Sequence, residues 1–161
     1  LLKYQDTGIV SDLCSEALDK GYRLIKLHES TVPEVAAARQ TVGEEIPIML
    51  DVNCVWSPKE GRLMAEALLD YDLHWLEEPI WPPENFDGLA NLRAESGTRI
   101  AAGENACTAW QFQAMFDAQA PDTYGHNIGG GGVFMGNTQH SDGLEKLLGD
   151  FARAFAVRFR Q

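Results

Sequence analysis

The chain has 161 residues and a net charge of −11, from 24 acidic against 13 basic side chains, with 45% apolar and 9% aromatic residues. That length allows one domain with its own core, and the apolar and aromatic content excludes a disordered chain. The acidity excludes general affinity for nucleic acid or an anionic membrane surface. It would repel an anionic substrate too, unless a bound cation reversed the local field.

No run approaches the roughly 18–20 apolar residues of a membrane span, and the opening residues do not read as a signal peptide. Leu1 stands where a natural start would carry Met, so an internal start is expected. Cys14, Cys54 and Cys107 are odd in number and widely spaced. They fit neither a disulfide framework nor a zinc site, and reduced, packed thiols in a cytoplasmic protein are expected.

In chain order, Val10, Leu13, Cys14, Ala17 and Leu18 follow helical spacing, and Gly21 supplies a left-handed cap after Lys20. A strand is predicted over Tyr22–Leu27. Ser30 or Thr31 caps the next helix, Pro33 sits in its first turn and Gly43 ends it. Ile46–Val52 is near-continuously apolar, as a buried parallel strand is. Ser57-Pro58-Lys59-Glu60 is a capping-box sequence, opening a helix whose predicted apolar face is Leu63, Met64, Ala67, Leu68 and Tyr71. Leu73–Leu76 is a third strand, Asn85–Ala94 a helix, Arg99–Ala102 a fourth strand and Thr108–Ala118 a further helix. Strands alternating with helices imply right-handed βαβ units and a parallel sheet.

Beyond about Ala120 the pattern changes. Gly125 and the run Gly129–Gly132 are expected to break regular structure. Leu144, Leu147, Leu148, Phe151 and Phe155 then mark a terminal amphipathic helix, with Arg153, Arg158 and Arg160 suited to its negative end. Two regions are therefore expected: residues 1–120, alternating strands and helices, and residues 121–161, a divergent glycine-rich segment with a C-terminal helix.

The chemistry lies in what closes each strand. Lys26 and His28 end the first, Asp51 the second, Glu77 the third and Glu104 the fourth, with successive gaps of 25 (Lys26 to Asp51), 26 and 27 residues. Each interval is about one strand–helix unit, so these side chains are expected at one height, on the C-terminal rim where parallel barrels build their sites. Three carboxylates cannot stay ionised side by side without a counter-charge. Oxygen-only ligation suits a hard cation, Mg2+ first and Mn2+ second. Lys26 and His28, two residues apart, are expected on one strand face. His74, three residues before Glu77, should face away and be structural. Trp56, Trp81 and Pro82-Pro83 follow ligand-bearing strands and could wall a pocket. The tetraglycine lacks the following Lys-Ser/Thr of a phosphate loop. A doubly wound nucleotide-binding domain is disfavoured as well, because no glycine-rich turn follows the first strand.

The segments Ile25-Lys26-Leu27-His28-Glu29, Leu50-Asp51-Val52-Asn53, Trp75-Leu76-Glu77-Glu78-Pro79 and Ala102-Gly103-Glu104-Asn105 resemble successive strand ends of the enolase superfamily, of the mandelate racemase and muconate lactonizing type. The likeness covers about Leu1–Cys107. It implies an α/β fold, a partial TIM-type (β/α) barrel incomplete at both ends, with Asp51, Glu77 and Glu104 as metal ligands. Asn53 and Asn105 are implied to contact substrate or support the ligands.

The implied chemistry is Mg2+-dependent abstraction of a proton α to a carboxylate, with a Lys or His base and an enediolate stabilised by the metal. Many members carry lysine at both first-strand positions. With histidine second, His28 reads as the base and Lys26 as the cation contacting the carboxylate, Lys26 being the alternative base. An acid-sugar dehydratase acting on a small hydroxy-carboxylate is expected. A racemase or epimerase, a cycloisomerase, and a truncated non-catalytic fragment or binding module are the alternatives. The parent protein is expected to be a homo-oligomer. Asn127-Ile128-Gly129-Gly130 keeps the family's glycines, but the acid expected before them is displaced to Asp122 or lost, and Gln139-His140-Ser141 only faintly echoes a later Pro-His-Ser.

Overall fold

A computed structural model describes residues 3–128 and 131–136, with 125–136 as backbone alone. Helix α1 spans Thr7–Asp19, started by Asp6, whose Oδ1 accepts from the Ile9 N–H at 2.9 Å. At its end the Gly21 N–H reaches the Leu18 carbonyl and the Tyr22 N–H the Ala17 carbonyl. These paired bonds need a left-handed residue, which Gly21 supplies at φ 89°. Strand β1 is short, Ile25–Leu27. Tyr22 and Leu24, expected within it, are exposed and outside the sheet.

Helix α2 (Val32–Val42) is followed by β2 (Ile48–Asp51), α3 (Pro58–Ala67), a 3-10 turn at Leu69–Tyr71 and β3 (Leu73–Glu77). Helix α4 (Phe86–Ser96), β4 (Ile100–Ala102), α5 (Ala109–Asp117), β5 (Thr123–Ile128) and β6 (Gly131–Gly136) complete the described elements. The sheet runs β1-β2-β3-β4-β5-β6 in chain order, parallel from β1 through β5 and unclosed among the described residues. This is the expected α/β architecture, a portion of a TIM-type barrel.

Two expectations need correction. Gly125 does not break regular structure, because it lies inside β5, and Gly131 and Gly132 lie in β6. Nor is the sheet parallel throughout. Only two residues separate β5 from β6, too few for a crossover, so the strands pair antiparallel, from Thr123 against Gly136 to Ile128 against Gly131. The expected helix near Leu144–Phe155 and the Gln139-His140-Ser141 sequence lie outside the described residues.

The capping box on α3 forms as read: the Glu60 N–H donates to Ser57 Oγ, and the Ser57 N–H to Glu60 Oε2. Its buried face matches the expected one in part: Leu68 is buried and Met64 and Tyr71 pack against the core, whereas Leu63 is 58% exposed, Ala67 is exposed, and Gly61 and Ala65 are buried instead. A Cβ on Gly61 would stand 2.8 Å from Ile80 Cγ2, so this face is built from small residues that allow close approach to the β3–α4 segment. Ile48, Leu50, Leu76, Ile100, Leu92 and Phe112 anchor the core between strands and helices. That core holds the strand ends, and therefore the site, in place. No described helix is long and apolar enough to cross a membrane.

Candidate metal centre and its surroundings

Sheet register sets the starting positions. Asp51 and Glu77 lie directly across from one another at the ends of β2 and β3. Lys26 is level with Met49, two residues short of Asp51, and Glu77 is level with Ala101, three residues before Glu104. The expectation of one common height is thus corrected for Lys26 and Glu104. Sequence intervals include connections of varying length, so equal spacing does not ensure equal height.

The side chains nevertheless converge. One carboxylate oxygen from each of Asp51, Glu77 and Glu104 lies within 4.8 Å of the other two. Asp51 and Glu77 are buried and Glu104 half-buried. Lys26 reaches up from its lower position, its Nζ 2.9 Å from Asp51 Oδ2 and 2.8 Å from Glu77 Oε1. Trp75, on the same strand face as Glu77, donates its indole N–H to Glu77 Oε2 at 3.0 Å. The Asn53 N–H donates to Asp51 Oδ1 at 3.1 Å. Both carboxylates are therefore held at each oxygen before any ion binds.

The electrostatics are those of a site short of positive charge. Burial raises the pKa of Glu104, and the charges of Asp51, Glu78 and Glu77 raise it further, with Lys26 opposing them. Burial works against the charge on Lys26, yet hydrogen bonds to Glu77 and Asp51 and the charges of both carry its pKa above the ordinary value. Lys26 is therefore an ammonium here, partial counter-ion to the carboxylates. Three clustered oxygen donors and an existing cation position fit a hard divalent ion such as Mg2+ or Mn2+.

The remaining predicted residues are spread more widely over the fold. His28 follows β1 by one residue, and neither ring nitrogen, both enclosed, finds a hydrogen-bond partner among the described residues. It lines, with Lys26, Tyr4, Leu13 and Tyr22, a cavity of about 540 Å3 along the edge of β1 away from β2. Asn53 is exposed in the turn after Asp51, and the exposed Asn105 places its Nδ2 3.6 Å from Cys54 Sγ. Trp56 is buried and bridges to Ile80, whereas Trp81 is 64% exposed. His74 packs its ring against Trp75, with centroids 5.0 Å apart. Asp122 accepts from Arg93 Nε at 2.6 Å and from the Ile100 N–H at 2.9 Å, which ties it to the start of β4, away from Glu104.

Two contributors escaped the sequence reading. Trp75 was legible in principle, since residues two apart on a strand share a face. Glu78, the second glutamate of its pair, is 2% exposed and accepts from the Gly103 N–H at 2.7 Å and the Glu104 N–H at 3.1 Å. Burial raises its pKa, against the lowering effect of bonds from Gly103, Cys54, Asn105 and Glu104. The Cys54 thiol donates to Glu78 Oε2 at 3.3 Å. Burial and then the charges of Glu78, Glu104 and Asp51 push its own pKa far upward, so it stays a neutral thiol.

Residues 10–132 match the family described as enolase C-terminal domain-like. A 3,6-anhydro-alpha-L-galactonate cycloisomerase of Streptomyces coelicolor is 36% identical over 133 residues, 75% of this chain and 37% of that protein. A D-xylonate dehydratase of Haloferax volcanii is 36% identical over 88 residues, 55% of this chain and 21% of that one. The solved structure of a racemase from Streptomyces coelicolor A3(2) with bound magnesium superposes with a TM-score of 0.69 at 31% identity, covering 74% of this chain and 37% of the racemase. The chain thus spans little more than a third of the first of these relatives and of the racemase.

Proposed function

This chain belongs to the enolase C-terminal domain-like family, in the mandelate racemase and muconate lactonizing branch of the enolase superfamily, and on that premise we propose that its acidic cluster holds Mg2+ for abstraction of a proton α to a carboxylate. The observation that carries the reading is the convergence of Asp51, Glu77 and Glu104 within 4.8 Å. Bound there, a divalent cation supplies positive charge against the substrate carboxylate and lowers the cost of the second negative charge that develops on deprotonation.

The protein's own groups divide the rest. Asp51, Glu77 and Glu104 are the ligands. Lys26, an ammonium between two of them, supplies fixed positive charge beside the carboxylate of a bound substrate. We read His28 as the base, with Lys26 as the alternative. Asn53 and Asn105, exposed on the turns after β2 and β4, are in our reading contacts for substrate hydroxyls. The setting we propose is the cytoplasm, consistent with three free thiols.

The reaction we favour is dehydration of an acid sugar. His28 takes the α-proton, the electron pair forms a double bond to the β-carbon, and the β-hydroxyl leaves as water after gaining a proton. Ketonisation of the resulting enol gives a 2-keto acid. Cyclo-isomerisation is the second reading, favoured by the likeness to the Streptomyces coelicolor cycloisomerase over 75% of the chain.

Incubating the chain and Mg2+ in D2O with a panel of aldonic and aldaric acids separates these outcomes. We expect loss of water and a 2-keto acid. Recovery of an α-deuterated substrate or its epimer without loss of water would replace dehydratase by racemase, and an isomer formed by ring closure or opening would establish the second reading. Mg2+ binding with no exchange on any acid would mark the chain as a non-catalytic binding module.

A further inference from the structure

Asp51 and Glu77 are fixed by sheet pairing, each being the last residue of its strand and partnered across the ladder. Glu104 has no such support. Strand β4 ends at Ala102, so this carboxylate hangs two residues beyond the sheet, on a turn at Gly103, where φ is 129°. A ligand on a free turn would sample many positions, yet Glu104 lies in the cluster.

The group that reaches the turn is Glu78. Its backbone has a left-handed φ of 47°, so Glu78, next to a buried strand-end residue, is buried as well. Its Oε1 receives both the Gly103 and Glu104 N–H groups, and its Oε2 receives the thiol of Cys54, three residues past Asp51. Its main chain continues the same bracing. The Glu78 N–H donates to the Ala101 carbonyl at 2.9 Å, and the Cys54 N–H donates to the Glu78 carbonyl. One residue thus spans the ends of β2, β3 and β4, the three strands that carry the acidic cluster.

We propose that Glu78 is a positioning residue that sets Glu104 into the metal centre by gripping the Gly103–Glu104 backbone with its carboxylate. The proposal rests on the metal-binding reading above and deepens it. Glu78 stands outside the convergent trio of Asp51, Glu77 and Glu104, and its two oxygens are turned to the Gly103 and Glu104 amides and the Cys54 thiol. Groups that orient metal ligands typically carry about 10–100-fold of the affinity when removed.

The test is Mn2+ titration of the full chain, with amide hydrogen exchange at Gly103 and Glu104 and thermal unfolding without metal as companion readouts. Glu78→Leu removes the acceptor, Glu78→Asp withdraws it by one methylene, and Glu78→Gln keeps an oxygen for the two amides while discarding the charge. We expect Glu78→Leu and Glu78→Asp to weaken Mn2+ binding by about 10-fold or more and to speed exchange at both amides, and Glu78→Gln to stay within about 3-fold of the parent. Should Glu78→Leu not fold, Glu78→Asp carries the comparison. Parental Mn2+ affinity in Glu78→Asp or Glu78→Leu would overturn the proposal. So would an equal loss in Glu78→Gln, which would make the effect one of charge and not of position. Glu104→Gln is the control for the underlying reading. If it binds Mn2+ as the parent does, the metal centre itself is wrong; if it alone loses binding, only the role of Glu78 is.

Discussion

Replacing Glu77 by glutamine is expected to lower Mg2+-dependent α-proton exchange by about 10³-fold or more, measured as deuterium incorporation from solvent. The size follows from the several kcal/mol that a bound cation contributes to stabilising negative charge in the transition state, at about 1.4 kcal/mol per decade of rate. Glu77 is the most connected of the three acids. It lies level with Asp51 across the sheet, receives Lys26 on Oε1 and receives the Trp75 indole on Oε2. An amide keeps the shape but halves the acceptor capacity, and its NH2 would confront either Lys26 or Trp75, both donors. The variant therefore loses a ligand charge and disturbs the posture of Lys26. Full exchange activity in Glu77→Gln would sink the metal mechanism.

Substituting His28 by asparagine should slow the same exchange by about 10²–10⁴-fold, the usual span for a positioned general base, while leaving Mg2+ binding near the parental value. The separation of effects is the point. His28 touches none of the three carboxylates among its described contacts, whereas Lys26 touches two. Lys26→Met should slow exchange as well, but should also remove the counter-ion from Asp51 and Glu77 and destabilise the metal-free chain. If Lys26→Met abolishes exchange and His28→Asn leaves it intact, the two residues exchange roles and Lys26 is the base.

Much of this was legible before the structure. Helix boundaries were partly legible in local chemistry, as in the capping box of Ser57 and Glu60 and the glycine ending α2 at Gly43, whereas Thr31 stands at the start of α2 without a capping side-chain hydrogen bond. The acids were found because a strand–helix unit repeats at nearly constant length, bringing Asp51, Glu77 and Glu104 to strand ends. Register was not legible. Lys26 opposes Met49 and Glu104 overshoots β4, because loop lengths enter the sequence interval but not the ladder. The buried face of α3 was misread in part, for a different reason. Large apolar residues drew attention to Leu63, while the contact depends on Gly61 and Ala65, whose smallness brings the helix close. Glu78 was hidden by strand alternation, which places consecutive residues on opposite faces; a left-handed backbone at Glu78 accompanies its burial beside Glu77. The antiparallel β5–β6 pair lay behind glycines that ordinarily signal loops.

Thermal unfolding of the chain with and without saturating Mg2+ tests the central claim most directly. A ligand that binds only the folded state at about 100 times its Kd adds about 2.7 kcal/mol, which raises the midpoint of a chain of this length by about 5–10 °C. The account predicts that rise in the parent and its disappearance in the Asp51→Asn, Glu77→Gln double variant. A cooperative transition whose midpoint ignores Mg2+ in the parent would contradict it.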